Sequence, residues 1–246
     1  MQRPLRVLRA VLSVSAARAA ELRTEPPRRV SWIVPAGLLT AALLALPFDL
    51  DVMRFAGADP LPKGLEKIVR LSEAFSHGSG AATILLAVFL LDRSGRRWLP
   101  RLVVGTLLGG MLANLVKLLV ARTRPRRFDL EGSILDSFAG WLPLGQLPST
   151  QEGFPSAHAA TGFALATVLA WRYPQGRALF FALAIVSGSQ RVFSSAHFPS
   201  DVLFGAALGC FAAFACLPGG LLDGPLGRIE DRIKRRHPDA GFRSEP

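Results

Sequence analysis

The sequence predicts an all-α protein, a polytopic membrane bundle of six transmembrane helices, and three observations carry that reading. Half of the 246 residues are hydrophobic, and they gather in runs instead of alternating with polar residues. Mean hydropathy is +0.33, and several runs approach the roughly 20 apolar residues that a helix needs to cross a hydrocarbon core. The formal net charge of +11 comes mostly from arginines confined to the segments between runs, as cytoplasmic loops require. A nucleic-acid-binding protein would also be basic, but it would not carry these apolar runs. The bilayer is therefore the expected partner, and nucleic acid is excluded.

Three regions follow: a basic segment over 1–29, a six-helix domain over 30–222 and a basic tail over 223–246. In the first, Leu5, Leu8 and Leu12 recur at helical spacing among arginines, which suits an amphipathic helix on an anionic leaflet. A frayed tail is the alternative. Residues 30–47 hold no charge and give the first span. Over 48–76 the residues Leu65, Ile68, Val69 and Phe75 share one helical face opposite Lys63, Lys67 and Arg70, which predicts an interfacial helix and not a span. Residues 77–91 form the second span. The third runs over 102–121, where Gly105, Gly109 and Gly110 permit close approach of a neighbour.

A polar loop over 122–155 is too long for a simple turn, a length typical of lids and binding loops. Its Phe138, Trp141 and Leu142 suit a loop dipping into the interface. The remaining spans fall over 157–173, 178–194 and 201–217, the last with an extension to Leu222, and Pro199 and Ser200 suit its start. Cys210 and Cys216, six residues apart, point to different faces of one helix and support neither a disulfide nor a metal site. His77, at the edge of a span, reads as structural.

Chemistry concentrates in three stretches. His197 and Asp201 are four residues apart, about one helical turn, so the carboxylate can hold one imidazole nitrogen while the other faces outward. Arg191 supplies a forked donor suited to phosphate oxygens. A solvated ion pair is the plainer explanation of that stretch alone. Two further stretches favour chemistry: Phe154-Pro155-Ser156-Ala157-His158 at the mouth of one run, and Lys117 followed after six residues by Arg124-Pro125. Lys117 near a helix end can also snorkel to the surface.

In order and internal spacing, these three stretches resemble the motifs of the type 2 phosphatidic acid phosphatases, whose fold also serves vanadium haloperoxidases. Two residues depart from the pattern: Ala157 stands where the family usually has glycine, and Gln190 where serine usually precedes the arginine. The resemblance implies His197 as nucleophile, Asp201 fixing its tautomer, and His158 as acid and then base. It also implies Lys117, Arg124, Ser156, Ala157 and Arg191 as the phosphate-binding set. A phosphoryl group needs positioning and charge stabilisation, which three cations and a helix N-terminus can supply. No metal or other cofactor is expected.

The arginine clusters at the N-terminus, 93–101, 172–177 and 228–243 all fall on one side of a six-span chain, and the three motif stretches on the other. The expected protein is an integral inner-membrane enzyme with cytoplasmic termini and an outward-facing site. Its expected activity is hydrolysis of a lipid phosphomonoester or diphosphate. Phosphatidic acid, phosphatidylglycerol phosphate, undecaprenyl diphosphate and the phosphates of lipid A all fit. A phosphotransferase using the same phosphohistidine is the main alternative. A silent lipid-binding or transport protein is disfavoured, because no motif residue is missing.

Overall fold

The computed structural model describes residues 31–58, 61–145 and 147–236, so the expected amphipathic segment over 1–29 lies outside the described residues. The architecture is mostly helical. Helix α1 (Ile33–Ala45) continues through a short 3-10 turn, Leu46–Phe48, into α2 (Asp49–Gly57). This apolar rod spans Ile33–Gly57, 25 residues, and passes the end expected at Pro47. Asp49 and Asp51 do not stop it, because they fall in the first turn of α2, where a helix favours negative charge.

Helices α3 (Lys63–Ser76) and α4 (Gly78–Leu91) meet at His77 with a bend of 67°. His77 is extended and caps α4, its Nδ1 accepting from the Ser79 amide at 3.3 Å. A separate helix does form where the interfacial one was expected, but its faces differ from the expectation. Val69 and Phe75 are buried, whereas Leu65 and Ile68 point outward with Leu71. The helix packs against the bundle on one side only, chiefly on the helix over 177–193.

Helix α5 (Leu99–Lys117) stops four residues before the expected Ala121. The chain there turns into strand β1 (Val120–Arg122), which pairs antiparallel with β2 (Phe138–Trp141). This small hairpin corrects the purely α-helical expectation. Helices α6 (Ala157–Arg172), α7 (Arg177–Phe193) and α8 (Pro199–Cys216) begin close to where the sequence placed them. Helix α8 does not run on to Leu222. A turn intervenes, and part of the segment read as a basic tail forms α9 (Asp223–Arg236).

Among the described residues three helical rods are long and apolar enough to cross a membrane: Ile33–Gly57, Arg93–Lys117 and Pro199–Cys216. The bent pair α3–α4 makes a fourth if it is counted as one span. Helices α6 and α7, at 16 and 17 residues, fall just short of the usual crossing length.

Small residues let α5, α6 and α8 approach closely. A methyl group on Gly109 would stand 2.9 Å from the Ala160 carbonyl oxygen, and one on Gly209 would stand 2.2 Å from that same atom. The consequence for function is that α6 and α8 begin side by side. The Ser156 amide donates to the Asp201 carbonyl at 3.1 Å, and Gly205 leaves room for the Ser156 carbonyl, 2.4 Å from where a Cβ would lie. At the opposite end, buried Arg101 donates from Nε to Glu230 at 2.5 Å and pairs with Asp223 at 2.8 Å, which fastens α9 to α5. Cys210 and Cys216 are buried free thiols.

Candidate active site

Backbone hydrogen bonds lace the three motif stretches together. The amides of Arg122 and Arg124 donate to the carbonyls of Gln151 and Thr150 at 2.9 and 2.8 Å. The Gly153 amide returns a bond to the Arg122 carbonyl at 2.8 Å, and the Arg126 amide reaches the Ser195 carbonyl at 3.1 Å. The Ala196 and His197 amides both bond the Arg191 carbonyl, which folds the link between α7 and α8 into a tight turn with Ser195 at φ +52°.

His197 is buried, and its Nδ1 lies 2.7 Å from the Gly153 carbonyl oxygen. A carbonyl only accepts, so Nδ1 carries the proton and Nε2 is left with its lone pair. Among the described residues Nε2 makes no hydrogen bond. Burial holds this imidazole well below its ordinary pKa of 6.5; the Gly153 bond opposes that shift, and the charges of Arg124, Lys117 and Arg191 reinforce it. The ring is therefore neutral with an available electron pair.

The expected contact between Asp201 and His197 is not made. Asp201 Oδ1 accepts from Arg122 at 2.5 Å and its Oδ2 accepts from the Phe198 amide at 2.8 Å. The physical reason is the fully buried Arg122, which needs carboxylate partners more than a neutral imidazole does. Arg122 also donates to Asp49 at 2.8 Å, to the Ser200 hydroxyl at 2.8 Å and to the Ser137 hydroxyl at 3.0 Å. Its guanidinium lies between the rings of Phe138 and Phe198, 4.7 and 4.4 Å from their centroids. Asp49 in turn accepts from the Ser200 amide at 2.9 Å and from the Ser200 hydroxyl. Arg122 and Asp49 were not singled out from the sequence. Asp49 lies 152 positions from Asp201 and no spacing links them, but an arginine between Lys117 and Arg124 was a visible signal.

The expected cations Lys117, Arg124 and Arg191 all lie near enough to His197 for their charges to act on its imidazole. Lys117 Nζ donates to the Glu152 carbonyl at 3.0 Å. Arg124 forms no ion pair among the described residues, and its buried Nε has no partner. Burial and then the charges of Arg126 and Arg191 push its guanidinium below the ordinary value. Arg191 donates to Glu73 Oε1 at 2.6 Å while its Nε is unpartnered. His158, half-buried in the first turn of α6, has its Nε2 3.6 Å from that same Glu73 oxygen and no hydrogen bond there. Three buried donors or acceptors without partners, on Arg124, Arg191 and His158, suit an anion with several oxygens.

Ser156 is buried, and its hydroxyl caps α6 by accepting from the Ala159 amide at 3.3 Å. Its own proton is free to donate. Ala157 is the first residue of α6, where amides lack helical partners. One turn below His158 begins an apolar cleft of about 680 Å³ between α4 and α5. Gly78, Asn114 and Thr161 form its end near the site, and it runs along α5 to Val103 and Leu99. Among the described residues no cluster of three His, Cys, Asp or Glu is placed to hold a metal ion.

Three cations near a neutral, buried imidazole, at one end of a helical membrane bundle, form a site suited to binding a phosphoryl group, which defines the class: an integral membrane enzyme acting on phosphoric esters. Residues 98–220 match the model of the PAP2 superfamily, and the chain belongs to that family. It is 29% identical to a lipid A 1-phosphatase of Rhizobium etli over 201 residues, covering 75% of this chain and 82% of that one. A lipid A 1-phosphatase of Rhizobium johnstonii is also 29% identical, over 76% of this chain and 79% of its own length. The fold is similar to the crystal structure of Aquifex aeolicus LpxE, with a TM-score of 0.54 and 21% identity over 69% of this chain and 94% of that one. The family resemblance read from the motifs is thus shown, and the protein is a phosphoric ester hydrolase.

Proposed function

We propose that this protein removes a phosphate monoester from a lipid at the outer face of the bacterial inner membrane, and that the lipid is of lipid A type. The observation that carries the chemistry is the His197–Gly153 bond, which leaves Nε2 unprotonated on a ring that feels the charges of Arg124, Lys117 and Arg191. The likeness to two lipid A 1-phosphatases over three quarters of the chain supports the substrate class, and the apolar cleft below the site suits acyl chains.

In the proposed reaction the His197 Nε2 lone pair forms a bond to phosphorus as the ester P–O bond breaks in line. The leaving oxygen takes the electron pair of that bond and a proton from His158. Lys117, Arg124, Arg191, the Ser156 hydroxyl and the Ala157 amide hold the nonbridging oxygens. A water molecule then gives its proton to His158 and adds to phosphorus, the N–P bond returns its pair to His197, and inorganic phosphate leaves. The cations neutralise the phosphate, so no metal takes part. Asp201 acts through the backbone, by holding Phe198 beside the nucleophile.

For topology, six crossings are proposed, with α6 and α7 as short spans and α3 lying across the outer end. The arginines of 93–101, Arg172 and Arg177 and the basic α9 then share the cytoplasmic side. The decisive experiment for substrate is phosphate release by purified protein from lipid A, phosphatidic acid, phosphatidylglycerol phosphate and undecaprenyl diphosphate. Lipid A should be dephosphorylated fastest. Release from another lipid with none from lipid A would overturn the substrate assignment.

A further inference from the structure

Glu73 occupies the site although no motif includes it. It projects from the last turns of α3, whose end is fixed against α6: a methyl group on Gly162 would stand 2.0 Å from the Ser76 hydroxyl oxygen. A single oxygen, Oε1, accepts from Arg191 at 2.6 Å and stands 3.6 Å from His158 Nε2. Arg191 Nε and His158 Nε2 are both buried without hydrogen-bond partners. One carboxylate oxygen therefore lies between two groups that the proposed reaction uses for different tasks.

We propose that Glu73 is a positioning carboxylate that changes partner during the cycle, pairing with Arg191 before substrate binds and with His158 once a phosphate has taken the Arg191 donors. The groups facing His158 are Glu73 from α3, His77 from the α3–α4 bend, Lys117 from α5 and Arg191 from α7. Among these Glu73 alone is acidic, so it alone favours the imidazolium form. The His77 ring, 5.7 Å away centroid to centroid, limits how far His158 can swing. Closing the 3.6 Å gap to a charge-assisted hydrogen bond of about 2.8 Å takes under a rotamer's motion of a side chain that is already half-exposed. An incoming phosphate dianion repels Glu73 and competes for Arg191, which drives the exchange. His158 thereby gains its proton-holding partner when a leaving group is present.

The inference rests on His158 being the proton donor, and it predicts opposite signs for two measurements on Glu73→Gln. Removing the competing anion should tighten inorganic phosphate severalfold, measured as a competitive inhibitor of p-nitrophenyl phosphate hydrolysis. Removing the partner of the imidazolium should lower kcat/KM on the lipid by about 10-fold or more, a part of the 10²–10⁴ that general acid catalysis supplies. Hydrolysis of p-nitrophenyl phosphate, whose leaving group needs no proton, should change little. Activity requires the protonated imidazole and Glu73 favours it in the bound state, so in Glu73→Gln the alkaline limb of kcat, which reports the substrate complex, should move to lower pH. Glu73→Asp should restore it in part. Phosphate bound no tighter, with equal rate loss on both substrates, would make Glu73 a structural tie and overturn the proposal. His158→Ala separates that outcome from failure of the underlying reading: if its kcat/KM, which reports the first phosphoryl transfer and not the later attack of water, falls equally on both substrates, His158 is not the donor and the mechanism itself fails.

Discussion

The Nδ1–H of His197 points at the Gly153 carbonyl, 2.7 Å away, and not at Asp201. A main-chain acceptor brought in by the loop after β2 thus sets the tautomer of the candidate nucleophile. Asp201 supports the same residue from another direction, through the Phe198 amide and Arg122. The roles of the two carboxylates around Arg122 become testable on this basis.

Asp201→Asn and Asp49→Asn should behave alike. Each leaves buried Arg122 with one anionic partner in place of two. Breaking a buried pair from one side costs about 3–5 kcal/mol, so both variants should lose thermal stability in detergent as well as activity. If Asp201 instead served only to fix the tautomer, Asp201→Asn would lower kcat with the unfolding midpoint unchanged, unlike Asp49→Asn.

The neutral, buried His197 makes a pH prediction. Its folded pKa lies well below the 6.5 of an exposed histidine. Between those values the unfolded chain binds the extra proton, so stability falls as pH drops below 6.5. The thermal midpoint should decline over that range, and His197→Gln should decline less. Equal slopes would mean that the imidazole is already charged in the folded protein.

Close packing around the site gives a steric prediction. Gly209→Ala would drive a methyl group to 2.2 Å from the Ala160 carbonyl, and Gly205→Ala would drive one to 2.4 Å from the Ser156 carbonyl. Overpacking of this kind costs about 1–3 kcal/mol. Both should lower the unfolding midpoint, and Gly205→Ala should also reduce activity by displacing the start of α6. Gly37→Ala, which meets nothing within 4 Å, is the control.

Sidedness follows from the arginine distribution. A cysteine in place of Glu131, whose side chain is 85% exposed in the loop beside the site, should react with an impermeant thiol reagent in spheroplasts. One in place of Ser94, among the arginines of 93–101, should react only after permeabilisation. The reverse pattern would put the site in the cytoplasm.

Much of the site was legible in the sequence because it uses residue types that apolar runs otherwise exclude. Lys117, His158 and Arg191 stand out at helix ends for that reason. The run lengths similarly marked where α6, α7 and α8 begin. Other features depended on tertiary contacts between distant positions. Glu73 was not singled out, because nothing local shows that α3 brings it to Arg191 and His158. Asp49 was not singled out, because its partners Arg122 and Ser200 lie 73 and 151 positions away. The β1–β2 hairpin was missed because its strands are three and four residues long, too short for a period of two to register.

The claim that His197 attacks phosphorus is tested most directly by trapping the enzyme with 32P-labelled lipid substrate under alkaline quench, which preserves an acid-labile phosphohistidine. Wild-type protein should carry label and His197→Ala should carry none; with labelled p-nitrophenyl phosphate, whose leaving group needs no proton, His158→Ala should carry more because the water-activating group is gone. Label on His197→Ala at the wild-type level would contradict the account, since the nucleophile would then lie elsewhere.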